Sequence, residues 1–259
     1  MMKRRQLMRY ARTGFLATLA TGLASGLQTY QAQTNDTLSV QWLGHTCFLF
    51  TSAGQKVLVN PFRTQGCTAG YRPPTVASDL VLISSQLLDE GATEQLPGDP
   101  RLLYESGVYQ LNGSQVQGIQ TPHDREGGRR FGTNTAWRWT QGGINILHLG
   151  GAASPISVEQ KILLARPDLL LLPVGGGPKA YTPQEAKQAM QALNPKMVIP
   201  THYRTQAADA NSCDLVPIEE FLSLMNDASI RRINSDTMAI SSSDLPATGS
   251  VISVLSYNF

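Results

Sequence analysis

The run Asp168-Leu169-Leu170-Leu171-Leu172-Pro173-Val174 constrains the fold more than any other stretch of this chain. It is short, continuous and apolar, which suits a strand buried on both faces. Such a strand needs a covering layer on each side. The segments before it are strand-like: 38–43, 47–51 and 56–60, the last two joined by a hairpin turn at Ser52-Ala53-Gly54-Gln55. A loop rich in Gly and Pro covers 63–74, and apolar or alternating runs follow at 79–84, 101–104, 108–111, 115–121, 134–140 and 144–149. Helical patterns then enter. The segment 157–165 reads as a helix with Val158, Ile162 and Leu163 available for burial, and Pro183 opens a second that runs to Leu193. A strand at 197–200, a helix at 217–225 and strands at 237–241 and 251–256 complete the reading. Strands first, then strand-helix alternation, predict a layered α/β sandwich and not a doubly wound sheet. The 259 residues, 41% of them hydrophobic, suffice for one core and require no second domain.

Charge separates the first residues from the rest. The formal net charge is +2, but residues 1–32 hold Lys3, Arg4, Arg5, Arg9 and Arg12 and no acid. Without those five, Lys and Arg fall from 21 to 16 against 19 Asp and Glu, a net of −3. A mildly acidic body argues against nucleic acid as a partner. Lys3-Arg4-Arg5-Gln6-Leu7-Met8 followed by a weakly apolar run from Gly14 to Leu27 resembles a twin-arginine export signal, with cleavage expected after Ala32. That run is too short, and too rich in Gly and Thr, for a membrane span. The expected organisation is a signal and linker over 1–37 and one domain over 38–259, with no integral membrane segment once the signal is removed. The expected destination is the periplasm, or the thylakoid lumen in a photosynthetic bacterium. Cys47, Cys67 and Cys213 lack the paired spacing of a Cys-zinc site. Outside the cytoplasm two of them can pair; buried thiols are the alternative.

Several motifs in the body follow one another in a specific order. They are Trp42-Leu43-Gly44-His45, Val57-Leu58-Val59-Asn60-Pro61-Phe62, Asp79 to Ser84, Thr121-Pro122-His123-Asp124, Phe131-Gly132-Thr133-Asn134 and Ile146-Leu147-His148-Leu149-Gly150. Leu172-Pro173-Val174-Gly175-Gly176 and Pro195 to Tyr203 close the series. Over 38–205 the chain resembles the metallo-β-lactamase superfamily, in the branch of the ascorbate-6-phosphate lactonase-like hydrolases. The resemblance implies an α/β fold, the four-layer αββα sandwich of that superfamily. It also implies hydrolysis of an ester, lactone or phosphoester by water bound to one or two metal ions, which lower its pKa to about 7.

The family's ligand motif is His-x-His-x-Asp-His after the strand that ends at Ser84. The two leading histidines bind one ion and the Asp-His pair binds the other; a later His, an Asp after Gly and a last His complete the cage. In this chain Ser85 and Leu87 stand at the first two positions, Asp89 at the aspartate and Glu90 at the fourth. His123 and His202 match the later histidines, Gly151 replaces the bridging Asp, and Asn60 stands where an Asp is usual. A two-ion centre is therefore not expected. The candidate ligand set is Asp89, Glu90, His123 and His202, holding either no metal or a single Zn²⁺, Mn²⁺ or Fe²⁺.

His45, beside a Gly turn, is a candidate acid/base or substrate contact together with Asp89 and His202. His148, inside an apolar strand, reads as a satisfied buried residue. Ser84-Ser85 lacks the surrounding glycines of a nucleophile elbow. The run Gly175-Gly176-Gly177-Pro178-Lys179 lacks the ending of a phosphate loop but suits an anion-binding nest or a flexible rim. Arg125, Arg129 and Arg130, with Asn60, are candidate binding residues for an anionic group. The ligand losses favour an exported non-catalytic binding or assembly protein whose partner is a small molecule or another protein. A divergent hydrolase using one metal is the alternative.

Overall fold

The computed structural model describes residues 37–111, 113–209 and 211–259. The twin-arginine pair, the apolar run and the expected cleavage point lie outside the described residues. The strands are β1 (Leu38–Gly44), β2 (Cys47–Ser52), β3 (Gln55–Val59), β4 (Leu80–Leu82), β5 (Arg101–Leu103), β6 (Gly107–Leu111) and β7 (Ser114–Pro122). They continue with β8 (Thr133–Gln141), β9 (Ile144–His148), β10 (Leu169–Pro173), β11 (Met197–Thr201), β12 (Ser229–Arg232), β13 (Thr237–Ile240) and β14 (Val251–Val254). The helices are α1 (Val158–Leu164), α2 (Pro183–Leu193) and α3 (Ile218–Leu222).

Two sheets form, in the orders β13-β1-β2-β3-β4-β5 and β12-β14-β11-β10-β9-β8-β7-β6. Hairpin-joined neighbours are antiparallel, as is the distant pair β1–β13, while β3-β4-β5 and β9-β10-β11 run parallel. In β1 burial alternates, with Leu38, Val40 and Trp42 inward, as expected of a sheet with one covered face. In β10 and β11 every residue is buried. These strands lie between the other sheet and the helical layer, in which α2 packs on β10 and α1 on β7. The layered α/β sandwich expected from the sequence is the architecture observed.

Helix boundaries follow local chemistry. Ser157 and Thr182 each accept a hydrogen bond from the backbone N–H three residues on and close a capping box, and Pro183 occupies the first turn of α2. Asn194 ends α2 in a left-handed conformation. Helix α1 corrects one expectation. Val158, Ile162 and Leu163 point outward, with Val158 and Ile162 more than 70% exposed, and Leu164 is the residue of this helix that is buried. Strand β12, Ser229-Ile230-Arg231-Arg232, was not anticipated; its four residues are exposed at a sheet edge, so no hydrophobic pattern announces it.

The parallel strands bring the loops together. β3, β4, β9, β10 and β11 end at Val59, Leu82, His148, Pro173 and Thr201, and the connections that follow carry the chemistry-bearing residues, Asn60, Ser84 and His202 among them. In a urea titration, Leu171→Ala should cost about 3 kcal/mol, as a large-to-small change in a closed core. Ile162→Ala on the outer face of α1 should stay within about 0.5 kcal/mol.

Candidate metal centre

His45 sits in the turn between β1 and β2 at φ 54°, and His202 follows β11 at the same φ. A non-glycine residue there is strained, by about 1–2 kcal/mol, and persists where its surroundings dictate it. Here the dictating contacts are visible. The His45 carbonyl accepts from the Trp42 indole at 3.1 Å, and the His202 carbonyl accepts from the Gly175 N–H at 3.0 Å. Gly44 must lack a side chain, because a Cβ there would lie 2.6 Å from the Tyr71 ring. The two imidazoles meet with ring centroids 4.2 Å apart. One potential ligand atom from each of His45, Asp89 and His202 lies within 4.8 Å of the others.

The protonation states suit cation binding. Burial lowers His45 to about 4, against the opposing pull of Asp89, and burial followed by the His45 charge holds His202 well below the usual value. Both are neutral at pH 7, with lone pairs free. Both His45 ring nitrogens and His202 Nδ1 are buried without a hydrogen-bond partner, a costly state that a cation taking one lone pair from each ring would partly relieve. Burial raises the Asp89 carboxyl, but the charge of Lys179 and its hydrogen bond outweigh burial and keep Asp89 ionised. Two imidazoles and one carboxylate fit a single divalent ion that keeps an open position.

His123 and Glu90 lie elsewhere in the site. His123 Nε2 is 3.3 Å from Glu90 Oε2, both fully buried, and the two atoms do not align as a hydrogen bond. Burial and the Asp89 charge push Glu90 up to about 8, while burial and the Lys179 charge lower His123 to about 4. A Cβ at Gly151 would lie 2.2 Å from His123 Nε2. The imidazole thus fills the space a side chain at position 151 would need. The Ser85 hydroxyl accepts from the Leu87 N–H, and Leu87 lines the cleft with carbon. Asn134 braces this half, donating to Thr121 and to the Leu149 carbonyl and accepting from the Gly151 N–H.

The remaining candidates divide between structure and cleft. His148 donates from Nε2 to the Thr46 carbonyl and accepts from the Gly150 N–H at Nδ1, each at 3.0 Å, which makes it a satisfied core residue. Asn60 ties the ends of β3 and β4 together by accepting from the Ser84 N–H. Arg125 is consumed by Glu185 and by the carbonyls of Gly177 and Ala180, and Arg129 lies near Glu126. Arg130 faces the cleft over the Phe131 ring. The cleft, about 560 Å³, is bounded by His45, Asp89, His202, Lys179, Phe131 and the Cys67 turn. Cys67 is bonded to Cys213, which joins two rim segments 146 residues apart in sequence, and Cys47 is a buried free thiol. Sequence reasoning left the pairing open and did not place Lys179 beside Asp89.

Residues 39–202 match the family described as the beta-lactamase superfamily domain. A metal-dependent hydrolase from Methanoregula boonei is 33% identical over 202 residues, covering 67% of this chain and 87% of the relative. One from Thermoplasma acidophilum is 28% identical, covering 66% and 85%. A crystal structure of a metallo-beta-lactamase superfamily protein from Thermotoga maritima superposes with a TM-score of 0.67 at 27% identity, over 85% of this chain and all of the other.

One carboxylate orders the loop that presents Arg130 and Phe131. Asp124 accepts from the backbone N–H groups of Glu126, Gly128, Arg130 and Phe131 at 2.8–2.9 Å. Burial raises this carboxyl, but the four donors prevail and lower it to about 2. Its contribution to stability is therefore present above the ordinary pKa of about 3.9 and lost as pH falls through the folded value. Asp124→Asn should lower the melting temperature at pH 7, and the gap from the parent should close as pH falls from about 4 to about 2.

Proposed function

The chain belongs to the beta-lactamase superfamily domain family, and on that premise we propose that it is a metal-dependent hydrolase working with one ion, held by His45, Asp89 and His202. The observation that carries this reading is the convergence on one ionised carboxylate of two neutral, buried imidazoles, each with an unpartnered ring nitrogen. A bound Zn²⁺, Mn²⁺ or Fe²⁺ would supply Lewis acidity and a water acidic enough to act as nucleophile at neutral pH. The chain's own residues do the rest. His45 and His202 offer lone pairs from backbone positions fixed by strained turns. Leu87 and Phe131 give the cleft apolar surface beside the reacting position, and Arg130 stands at its wall to orient an anionic group of a small-molecule substrate.

A single ion is favoured over two because the other half of the cleft keeps only His123 and Glu90 as ligand-capable side chains and is closely packed. Ser85 and Leu87 stand where histidines would, and His123 fills the space over Gly151. The order of motifs from Trp42 to Tyr203 supports the ascorbate-6-phosphate lactonase-like branch, hence an ester, lactone or phosphoester as substrate. The basic twin-arginine start and the Cys67–Cys213 disulfide both support export from the reducing cytoplasm. The same ligand losses support a second reading, a binding protein that retains the scaffold without turnover.

Metal analysis with turnover on ester, lactone and phosphodiester panels separates the two. His45→Ala and His202→Ala should each lose the ion and all turnover, whereas His123→Ala should keep the ion. A metal-loaded parent that hydrolyses nothing in the panels favours the binding protein. Ion loss in His123→Ala with retention in His45→Ala would contradict the ligand assignment.

A further inference from the structure

Lys179 is a cleft residue that the hydrolase reading does not use, and its placement is not casual. It ends the glycine run after β10, and its ammonium is ion-paired with Asp89 Oδ2 inside the cleft, both side chains about one-fifth exposed. The loop that delivers it is held from several directions. Arg125 donates to the carbonyls of Gly177 and Ala180, at 2.7 Å each, one on either side of Lys179. The Gly175 N–H binds the His202 carbonyl and the Gly176 N–H binds the Tyr181 carbonyl. Arg125 is itself fixed by Glu185 in the first turn of α2. The cation therefore reaches Asp89 from a braced backbone, not from a free surface stem. Its charge also bears on His45, His123 and His202 and helps keep each of them neutral.

We propose that Lys179 is a resident counter-cation of the centre, which a divalent ion must displace from Asp89 in order to bind. The inference rests on the single-ion reading of His45, Asp89 and His202. A largely buried carboxylate beside two neutral imidazoles is costly unless a positive charge faces it. In the ion-free protein Lys179 supplies that charge. A divalent ion arriving at Asp89 meets an ammonium already paired there, so part of its binding energy goes into breaking that pair and accepting a like charge nearby. The centre then binds its ion weakly and reversibly, in proportion to how much ion is present. The displaced ammonium is left in the cleft, beside Phe131 and Arg130.

The test is a Mn²⁺ titration by calorimetry on the metal-stripped protein, its Lys179→Met variant and, should that variant fold poorly, Lys179→Gln. Removing the ammonium should tighten Mn²⁺ binding roughly ten- to a thousandfold, the range over which one adjacent charge changes a carboxylate's affinity for a proton. The ion-free variant should also melt below the ion-free parent, and the order should reverse when Mn²⁺ is in excess. Lys179→Arg, which keeps the charge, should bind Mn²⁺ like the parent. Binding by the variant alone supports the proposal in its strongest form. Equal affinity in parent and variant overturns the proposal and leaves the single-ion reading standing. No binding in the parent or in either neutral variant overturns both.

Discussion

Burial of β10 and β11 on both faces is the constraint on which the rest of the molecule depends. Leu169 to Pro173 and Met197 to Thr201 are closed off by the opposing sheet and by the helical layer, so neither strand can shift register without moving apolar side chains that already have partners. Because β9, β10 and β11 are parallel, their connections emerge at one edge. That edge receives Gly150-Gly151, the loop 174–179 and His202 from this sheet, and Asn60 and the segment 84–90 from the other. Candidate ligands separated by more than 150 residues in sequence are thus brought together by largely apolar strands.

Electrostatics at that edge are organised around one carboxylate. Asp89 is the ionised acid of the ligand group; its companions are imidazoles kept neutral by burial, and Lys179 holds it in the charged form. The neighbouring half of the cleft takes the opposite course. There Glu90 is pushed up, His123 is pushed down, and the imidazole occupies the space above a glycine. One half of the cleft groups side chains able to hold a cation, while the other is packed and nearly charge-free. The Cys67–Cys213 bond and the Asp124 cage then fix the rim segments against the cleft.

Much of this was legible from residue order. The apolar run at 168–174 announced a doubly covered strand, and Thr182-Pro183 marked the start of α2, because both signals are local. The residue types at positions 85, 87, 89, 90, 123 and 202 were legible for the same reason. The grouping was not. Asp89, His123 and His202 were expected to converge, yet it is His45 that lies with Asp89 and His202 in the group of close ligand atoms, its ring centroid 4.2 Å from that of His202, while His123 lies against Glu90. Lys179 escaped notice for a related reason: only a braced loop explains why a lysine 90 residues away in sequence faces Asp89. The outward face of α1 shows the limit of periodicity, since Val158 and Ile162 carry an apolar stripe that the core does not take up.

An anomalous difference map from crystals grown with Zn²⁺ tests the centre most directly, because it counts ions and places them together. One peak per chain within coordinating distance of His45, Asp89 and His202, with nothing between His123 and Glu90, is the expected result. Two peaks, or a single peak on His123 and Glu90, would contradict the assignment of one ion to this half of the cleft.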